Sequence, residues 1–306
     1  MKNKIKQLIK NAYVRLKFYR FGTEHPEGNQ VVFFVQDGYP QSHPGLVDRF
    51  KAIVGMYYIA KQNGFGFRLV YDSPFKLEKY LQPNICQWNQ TENISKRKKD
   101  VKLFQYDRNK EVPQLSKSVS QYHCYYYGGV DILRTANVED WQNKWNELYK
   151  ELFTPSAYLQ DLLEQYLPKE PYVVVHTRFV NALESFEEGY ESNLSENEKE
   201  DLISKCLTVI DEISQEEQKS IYVFSDSIRF LKAVQKAGYQ TLPIENIGHI
   251  SFQKDESVHD KTFVDFYAMS YGEKIYSIRG KNVYTSVFSL YASIIGNKPY
   301  EVKQID

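Results

Sequence analysis

The stretch Tyr172-Val-Val-Val-His-Thr-Arg-Phe-Val-Asn181 constrains the fold of this chain more than any other part of it. Its first four residues are apolar and mostly β-branched, and Pro171 precedes them. A short, continuous apolar run of this kind is typical of a strand that is buried on both faces inside a parallel sheet. We therefore expect an α/β fold in which this strand belongs to a parallel sheet.

Polar residues follow this strand directly at its carboxyl end: His176, Arg178 and Asn181. Ligands of open α/β sheets bind beyond the carboxyl ends of the strands. An arginine at this place is a permanently charged fork that suits phosphate oxygens, so the pattern favours a phosphate site at Arg178. The alternative is an ordinary surface arginine that pairs with a glutamate of the acidic loop 184–188.

The first half of the chain predicts a βαβ unit. An apolar strand at 31–35 is followed by a loop rich in turn residues, a helix at 50–63 and a strand at 67–71. We expect Gly64 to cap the helix at its carboxyl end. Backbone amides of such a loop, just ahead of a helix N-terminus, can face a phosphate.

The second half repeats the strand–helix pattern, which predicts another parallel sheet with helices on both faces. The segment Pro168-Lys-Glu-Pro171 favours a hinge between the two halves, and a length of 306 residues fits two domains. We therefore predict a basic N-terminal segment 1–29, an acceptor-side α/β domain 30–168 and a nucleotide-sugar-binding α/β domain 169–306.

The composition argues against several classes of protein. Lysine plus arginine and aspartate plus glutamate both number 39, so no charge excess argues for nucleic acid as a partner. Cys86, Cys124 and Cys206 form neither a zinc spacing nor a disulfide framework, which favours a reducing, cytoplasmic location. No apolar run approaches the length of a membrane span, and the basic start lacks the features of a signal peptide.

The first 21 residues carry seven basic residues and no acidic residue. Apolar residues recur among them at helical spacing, at Ile5, Leu8, Ile9, Ala12, Tyr13 and Leu16. This pattern predicts a basic amphipathic helix that makes peripheral contact with the inner face of an anionic membrane. The alternative is a first helix that packs on the domain and exposes a solvated basic face.

Three further segments of the second half combine polar residues with strand or helix ends. Asp226 lies between two serines after a strand, where its carboxylate could bind ribose hydroxyls or a base edge, or cap the next helix. Ser286, Phe288 and Ser289 stand at a helix start, where hydroxyls and amides can bind an anion or serve as ordinary caps. Asp265 is a carboxylate set among apolar residues of a helix.

In their order along the chain these segments resemble the GT-B fucosyltransferases that use GDP-fucose, the superfamily of the α1,2-, α1,6- and protein O-fucosyltransferases and the rhizobial nodulation fucosyltransferase. The segment Val175–Asn181 is similar to the family's H-x-R-x-x-[DN] motif, and Gly45–Arg49 resembles its N-terminal glycine–arginine loop. Within that loop, Val47 and Asp48 depart from the glycine and asparagine of many relatives. Other segments that match in order are Leu152–Ser156, Phe224–Ser227, Phe263–Asp265 and Ser286–Ser289.

The resemblance implies a GT-B-like α/β fold of two Rossmann-like domains with mostly parallel sheets. It implies an inverting enzyme that moves fucose from GDP-fucose, its nucleotide-sugar donor, to a glycan acceptor. Arg178 would stabilise the leaving diphosphate, and His176 would shape the same pocket. Gly45 and Arg49 would bring the N-terminal loop over the diphosphate when the domains close.

The resemblance also assigns the rest of the donor site. Asp226 and Asp265 would hold the guanosine, and the helix start would line the phosphate and base pocket. The further donor-binding residues are Asn181, Asp226, Asp265, Ser286, Phe288 and Ser289. The sequence has no D-x-D segment, so we expect metal-independent transfer with no cofactor besides the donor. Arg178, with help from Arg49 and helix N-termini, would offset the diphosphate charge.

The general base that activates the acceptor hydroxyl stays open, with Asp37, Asp48 and Glu184 as candidates from position only. Three other functions also remain open. The first is a GT-B glycosyltransferase with another nucleotide-sugar donor. The second is a nucleotide- or glycan-binding module that has lost catalysis, and the third is a peripheral membrane scaffold built on the basic N-terminus.

Overall fold

The computed structural model describes residues 2–19, 28–36, 45–104, 111–125, 130–185, 194–244, 247–248 and 255–305. The chain divides into two compact units, Met1–Pro155 and Ser156–Asp306. Within the described residues, no helix is both long enough and apolar enough to cross a bilayer.

The first unit is built on a parallel sheet of four strands. Its described elements are α1 (Lys2–Phe18), β1 (Gln30–Val35), α2 (Leu46–Asn63), β2 (Gly66–Tyr71), β3 (Leu81–Pro83), β4 (Val101–Leu103), β5 (Gln121–Cys124), α3 (Ile132–Thr135), α4 (Trp141–Leu152) and β6 (Phe153–Pro155). The strand order of the sheet is β2-β1-β5-β4, and every neighbouring pair is parallel.

The predicted βαβ unit is confirmed in β1, α2 and β2. All six residues of β1 are buried, as a strand between two parallel neighbours requires. The helix α2 begins at Leu46, four residues ahead of the predicted start. Gly64 caps it in the left-handed conformation at a φ of +66°, and its N–H donates to the carbonyls of Ala60 and Lys61.

The short strands β3 and β6 pair antiparallel within this unit. The sequence predicted only a break between two helices around Pro155. A proline has no backbone N–H, and strands of three residues leave too little periodicity to be recognised.

The second unit carries its own parallel sheet. Its described elements are α5 (Ala157–Tyr166), β7 (Tyr172–Thr177), α6 (Glu196–Glu217), β8 (Ser220–Ser225), α7 (Ile228–Lys236), α8 (Glu256–Tyr271), β9 (Ile275–Arg279), α9 (Phe288–Gly296) and β10 (Tyr300–Gln304). The strand order is β10-β9-β7-β8, with all pairs parallel.

The strand β7 lies between β9 and β8, and all six of its residues are buried. The prediction of a buried strand at Tyr172 is therefore confirmed. Its valines pack with α6 and α7 in one apolar core, in which Val173, Val175, Cys206 and Phe230 are buried. The edge strand β10 was not predicted, because its polar residues form no apolar run.

The helix α5 belongs to the second unit, although the predicted domain boundary followed it at residue 168. The division between the units falls at Pro155 and Ser156. The Tyr158 hydroxyl on α5 donates to a carboxylate oxygen of Asp260 on α8 at 2.9 Å. Ser156 caps α5 by accepting the Leu159 N–H at 3.1 Å. The helix thus begins where the second unit begins.

Candidate functional site

Two arginines lie at the carboxyl edge of the second sheet, and the charges of both act on His176. Arg178 follows β7, and Arg279 ends β9. The parallel register pairs His176 with Ser277, and the two arginines each follow these paired residues by two positions. The sequence predicted a phosphate site at Arg178 but did not predict Arg279. The missed signal was the same pattern, an apolar strand run that ends in an arginine.

Tyrosines hold both arginines. The Tyr284 N–H donates to the Arg178 carbonyl at 2.7 Å, and the Arg178 guanidinium carbon lies 5.3 Å from the Tyr284 ring centroid. Arg279 donates from Nη2 to the Tyr300 hydroxyl at 3.1 Å. These contacts restrict the two guanidinium groups before any ligand binds, which lowers the entropic cost of anion binding.

The carboxylate of Asp226, after β8, braces the loop that carries Arg178. Its two oxygens accept the backbone N–H groups of Phe179 at 2.7 Å and Val180 at 2.9 Å. Oδ2 also lies 3.7 Å from Arg178 Nε. Burial raises the pKa of Asp226, and the two backbone hydrogen bonds and Arg178 oppose that rise.

Val180 has a φ of +54°. A β-branched residue in the left-handed region is strained, and such strain persists only where surrounding contacts impose it, often at functional sites. The sequence left open whether Asp226 caps the next helix. The cap of α7 is instead Ser227, which accepts the Phe230 N–H at 3.1 Å. The expected contact between Asp226 and a guanosine stays a prediction.

His176 is buried and electrically neutral at physiological pH. Burial, followed by the charges of Arg178 and Arg279, lowers the pKa of its imidazole to about 3. A group with so low a pKa is too weak a base to activate a hydroxyl, but a neutral ring can still exchange a hydrogen bond with a ligand. Its ring centroid lies 6.1 Å from that of Phe288.

The start of α9 brings a turn and two serines to the same edge. The Ser286 hydroxyl accepts the Phe288 N–H at 3.2 Å, and the Ser286 N–H donates to the Tyr284 carbonyl at 2.8 Å. The helix begins at Phe288, within the predicted helix start of Ser286, Phe288 and Ser289. Ser289 is completely buried.

Buried polar atoms of this cluster lack a hydrogen-bond partner within the described part of the chain, among them His176 Nδ1, Arg279 Nε and Ser289 Oγ. An unpartnered buried polar atom is costly and uncommon in native proteins. One physical account is a site whose remaining partner is a ligand. The cluster of His176, Arg178, Arg279, Tyr284 and Ser289 is named the strand-end cluster below.

Comparison with known proteins identifies the fold. No family model matches the sequence, and no curated protein matches it. Among solved structures, that of a point mutant of Arabidopsis thaliana FUT1 in complex with GDP covers 97% of this chain and 75% of its own, with a TM-score of 0.54 and 12% identity. The chain has a fucosyltransferase-like fold.

This fucosyltransferase-like fold confirms the GT-B-like fold class, with two α/β units and parallel sheets, that the sequence predicted. At 12% identity the likeness shows the fold alone. The strand-end cluster lies at the carboxyl edge of a parallel sheet, which is where open α/β sheets bind ligands.

Two other acidic residues of the second unit have partners of their own. Asp265 is buried on α8 and accepts from Lys261 Nζ at 2.6 Å, while its Oδ1 has no partner among the described residues. Burial raises the pKa of Asp265. Glu184 accepts the Arg229 N–H at 3.2 Å and so helps to cap α7. Asn181 is half-buried in the turn after Val180.

The first unit holds the remaining predicted residues. Arg49 is buried in the first turn of α2, and its Nη1 donates to the Tyr71 hydroxyl at 3.0 Å and to the Ser73 carbonyl at 2.9 Å. It thus ties α2 to the end of β2, and its role at a diphosphate stays a prediction. Gly45 precedes α2, and Asp48 forms an ion pair with Lys51.

Asp37 lies outside the described residues. Within the described ranges, no group of three histidine, cysteine, aspartate or glutamate residues is arranged to hold a metal ion. Within the described residues the three cysteines form no disulfide, and Cys124 and Cys206 are buried.

Proposed function

We propose that this chain is a glycosyltransferase that moves fucose from GDP-fucose to a glycan acceptor. The observation that carries the proposal is the strand-end cluster. It sets two neighbouring arginines, a neutral histidine and a buried serine at the ligand-binding edge of a parallel sheet. The fold is shared with a protein whose structure was solved with GDP, and the cluster has the chemistry that a diphosphate requires.

In this reaction an acceptor oxygen forms a bond to the anomeric carbon of the sugar. The bond between that carbon and the diphosphate oxygen breaks, and the electron pair leaves with GDP. Negative charge therefore develops on the diphosphate, and fixed cations that face it lower the barrier. Arg178 and Arg279 can supply these cations, since each guanidinium can bind phosphate oxygens with two parallel hydrogen bonds.

His176 takes a binding role in this proposal. Its neutral imidazole offers Nδ1 to a phosphate oxygen or a sugar hydroxyl, depending on the tautomer. The proton of the acceptor hydroxyl goes to a carboxylate, for which Asp37, Asp48 and Glu184 remain the candidates. Attack opposite the leaving diphosphate gives inversion at the anomeric carbon. We further propose that transfer needs no metal ion and takes place in the cytoplasm.

The donor is tested by calorimetry with GDP, GDP-fucose, GDP-mannose and UDP, with EDTA present throughout. We expect GDP and GDP-fucose to bind and UDP not to bind. Arg178→Ala should remove most binding and transfer, whereas Arg134→Ala, an exposed arginine on α3, should change neither.

Each other outcome has a definite meaning. Preference for UDP or GDP-mannose would overturn the fucose assignment and indicate a GT-B enzyme with another donor. Tight binding of GDP-fucose without transfer to any glycan or water would indicate a binding module that has lost catalysis. Absence of all nucleotide binding would overturn the proposal and give the strand-end cluster a purely structural role.

A further inference from the structure

The N-terminal helix α1 presents two apolar faces, and one of them packs on the described residues of the first sheet. Val14 is 1% exposed and Tyr19 just after the helix is 4% exposed. They pack with Val32, Phe34 and Val101 of the first sheet in one apolar cluster. The Tyr19 hydroxyl also lies 3.1 Å from that of Tyr125. The helix is therefore docked on its own unit.

The opposite side of α1 is an exposed apolar stripe, formed by Ile5, Leu8, Ile9, Tyr13 and Leu16. Their exposed fractions are 51%, 68%, 64%, 43% and 79%. Of the ten large hydrophobic residues that are exposed in the described part of the chain, these are five. A helix that merely packs on its unit would expose polar residues here, so the stripe needs an explanation of its own.

Basic residues border the stripe on both sides. On a helical projection of about 100° per residue, Lys6 and Lys17 fall beside Tyr13 at one edge. Arg15 falls beside Leu8 at the other edge. All three side chains are exposed, and the chain contains no acidic residue before Glu24.

The fold adds a further lysine to this surface. Arg15 of α1 and Tyr19 just after it line one small pocket together with Lys98, Val101 and Leu103. Lys98 belongs to the basic run Lys96-Arg-Lys-Lys99. The tertiary structure places one residue of that run next to α1, so the basic border extends beyond the helix.

We propose that the exposed stripe of α1 and its basic border dock on the surface of an anionic lipid bilayer. Such a surface offers an apolar layer directly beneath negative headgroups, which matches an apolar stripe between rows of lysine and arginine. A second copy of the chain fits less well, since it would bring two strongly basic helices together. The proposal is independent of the transfer reaction.

The test is co-sedimentation of the full chain with vesicles. One set consists of phosphatidylcholine and the other contains about one third phosphatidylserine, an anionic lipid. We expect binding to the anionic vesicles alone and a marked loss of binding in high salt, because salt screens exposed charges. The double variant Leu8→Ser/Leu16→Ser should weaken binding about tenfold or more, and Lys6→Gln/Arg15→Gln should weaken it at low salt.

The chain offers a matched control for the apolar change. Ile85 is 72% exposed and lies outside α1, so Ile85→Ser removes one aliphatic side chain of the same size as either leucine and should leave vesicle binding unchanged. Leu8 and Leu16 are exposed, so their replacement should spare the fold, and far-UV circular dichroism reports this separately. No binding to anionic vesicles, or equal binding by the Leu8/Leu16 variant, would overturn the proposal. The proposal would also be overturned if the chain formed a dimer in solution and the Leu8/Leu16 variant were monomeric.

Discussion

Asp226 accepts the backbone N–H of Val180 at 2.9 Å, and Val180 has a φ of +54°. A carboxylate after one strand thus holds a valine after the neighbouring strand in a conformation that valine avoids. Tyr284 holds the same loop by donating its N–H to the Arg178 carbonyl. The position of Arg178 is therefore fixed by two separate segments of the second unit. Such preorganisation lowers the entropic cost of binding a ligand.

We expect Asp226→Asn to weaken GDP binding by about tenfold, or about 1.4 kcal/mol. The amide keeps one acceptor oxygen but turns an NH₂ group toward the second backbone N–H, which releases the strained turn. The unfolding free energy should fall by about 1–3 kcal/mol. Calorimetry with GDP and urea denaturation measure the two effects.

The control for this change is Asp161→Asn on the exposed side of α5, which should alter neither quantity. If Asp226→Asn bound GDP as tightly as the wild type does, the conformation of the loop after β7 would not depend on the Asp226 carboxylate.

Arg279→Ala should reduce GDP affinity by about 10- to 150-fold, because a charge-assisted hydrogen bond contributes about 1.5–3 kcal/mol. Arg279→Lys should recover part of the affinity, since the charge returns without the planar fork. The double variant with Arg178→Ala should lose less than the sum of the two single losses, because both side chains would face one diphosphate. Strict additivity would indicate that the two arginines do not share a ligand.

Ser289→Ala should lower GDP affinity by about two- to tenfold while the free protein keeps its stability or gains up to about 1 kcal/mol. The reason is that the Ser289 hydroxyl is buried without a partner among the described residues. The matched control is Ser293→Ala on the same helix, whose hydroxyl donates to the Leu290 carbonyl at 2.7 Å. That change should leave GDP affinity unaltered. Equal effects of both changes would contradict a ligand role for Ser289.

The burial of His176 should make the protein less stable in acid. Its pKa is lowered to about 3 in the folded chain and is about 6.5 when unfolded. Between these values the unfolded chain takes up a proton and the folded chain does not. The contribution of His176 is thus complete above pH 6.5 and is lost as the pH falls toward 3, with a slope of up to about 1.4 kcal/mol per pH unit.

Urea denaturation of His176→Asn at several pH values tests this expectation. The curve of unfolding free energy against pH should be flatter than that of the wild type below pH 6.5 and parallel to it at pH 8. His123 is also buried with a lowered pKa, but it is present in both proteins and cancels in the comparison. Parallel curves down to pH 4.5 would show that His176 is not buried in solution.

The main strands of the two sheets and the helices beside them could be predicted from the sequence because their apolar patterns are strong. The buried runs at 31–35 and 172–175 predicted β1 and β7, and Gly64 correctly marked the end of α2. The sequence did not predict the polar edge strand β10 or the pair of β3 and β6, because these strands are defined by pairing with segments far apart in the chain.

The sequence alone determined that this is an α/β chain with parallel sheets and that Arg178 stands where such sheets bind ligands. Local pattern suffices for this, because a run of buried residues and a polar strand end are properties of one segment. The tertiary structure decided that Arg279 joins Arg178, that Asp226 braces the loop that carries Arg178, and which face of α1 stays exposed. Those relationships depend on strand register and packing between distant segments, which local pattern does not record.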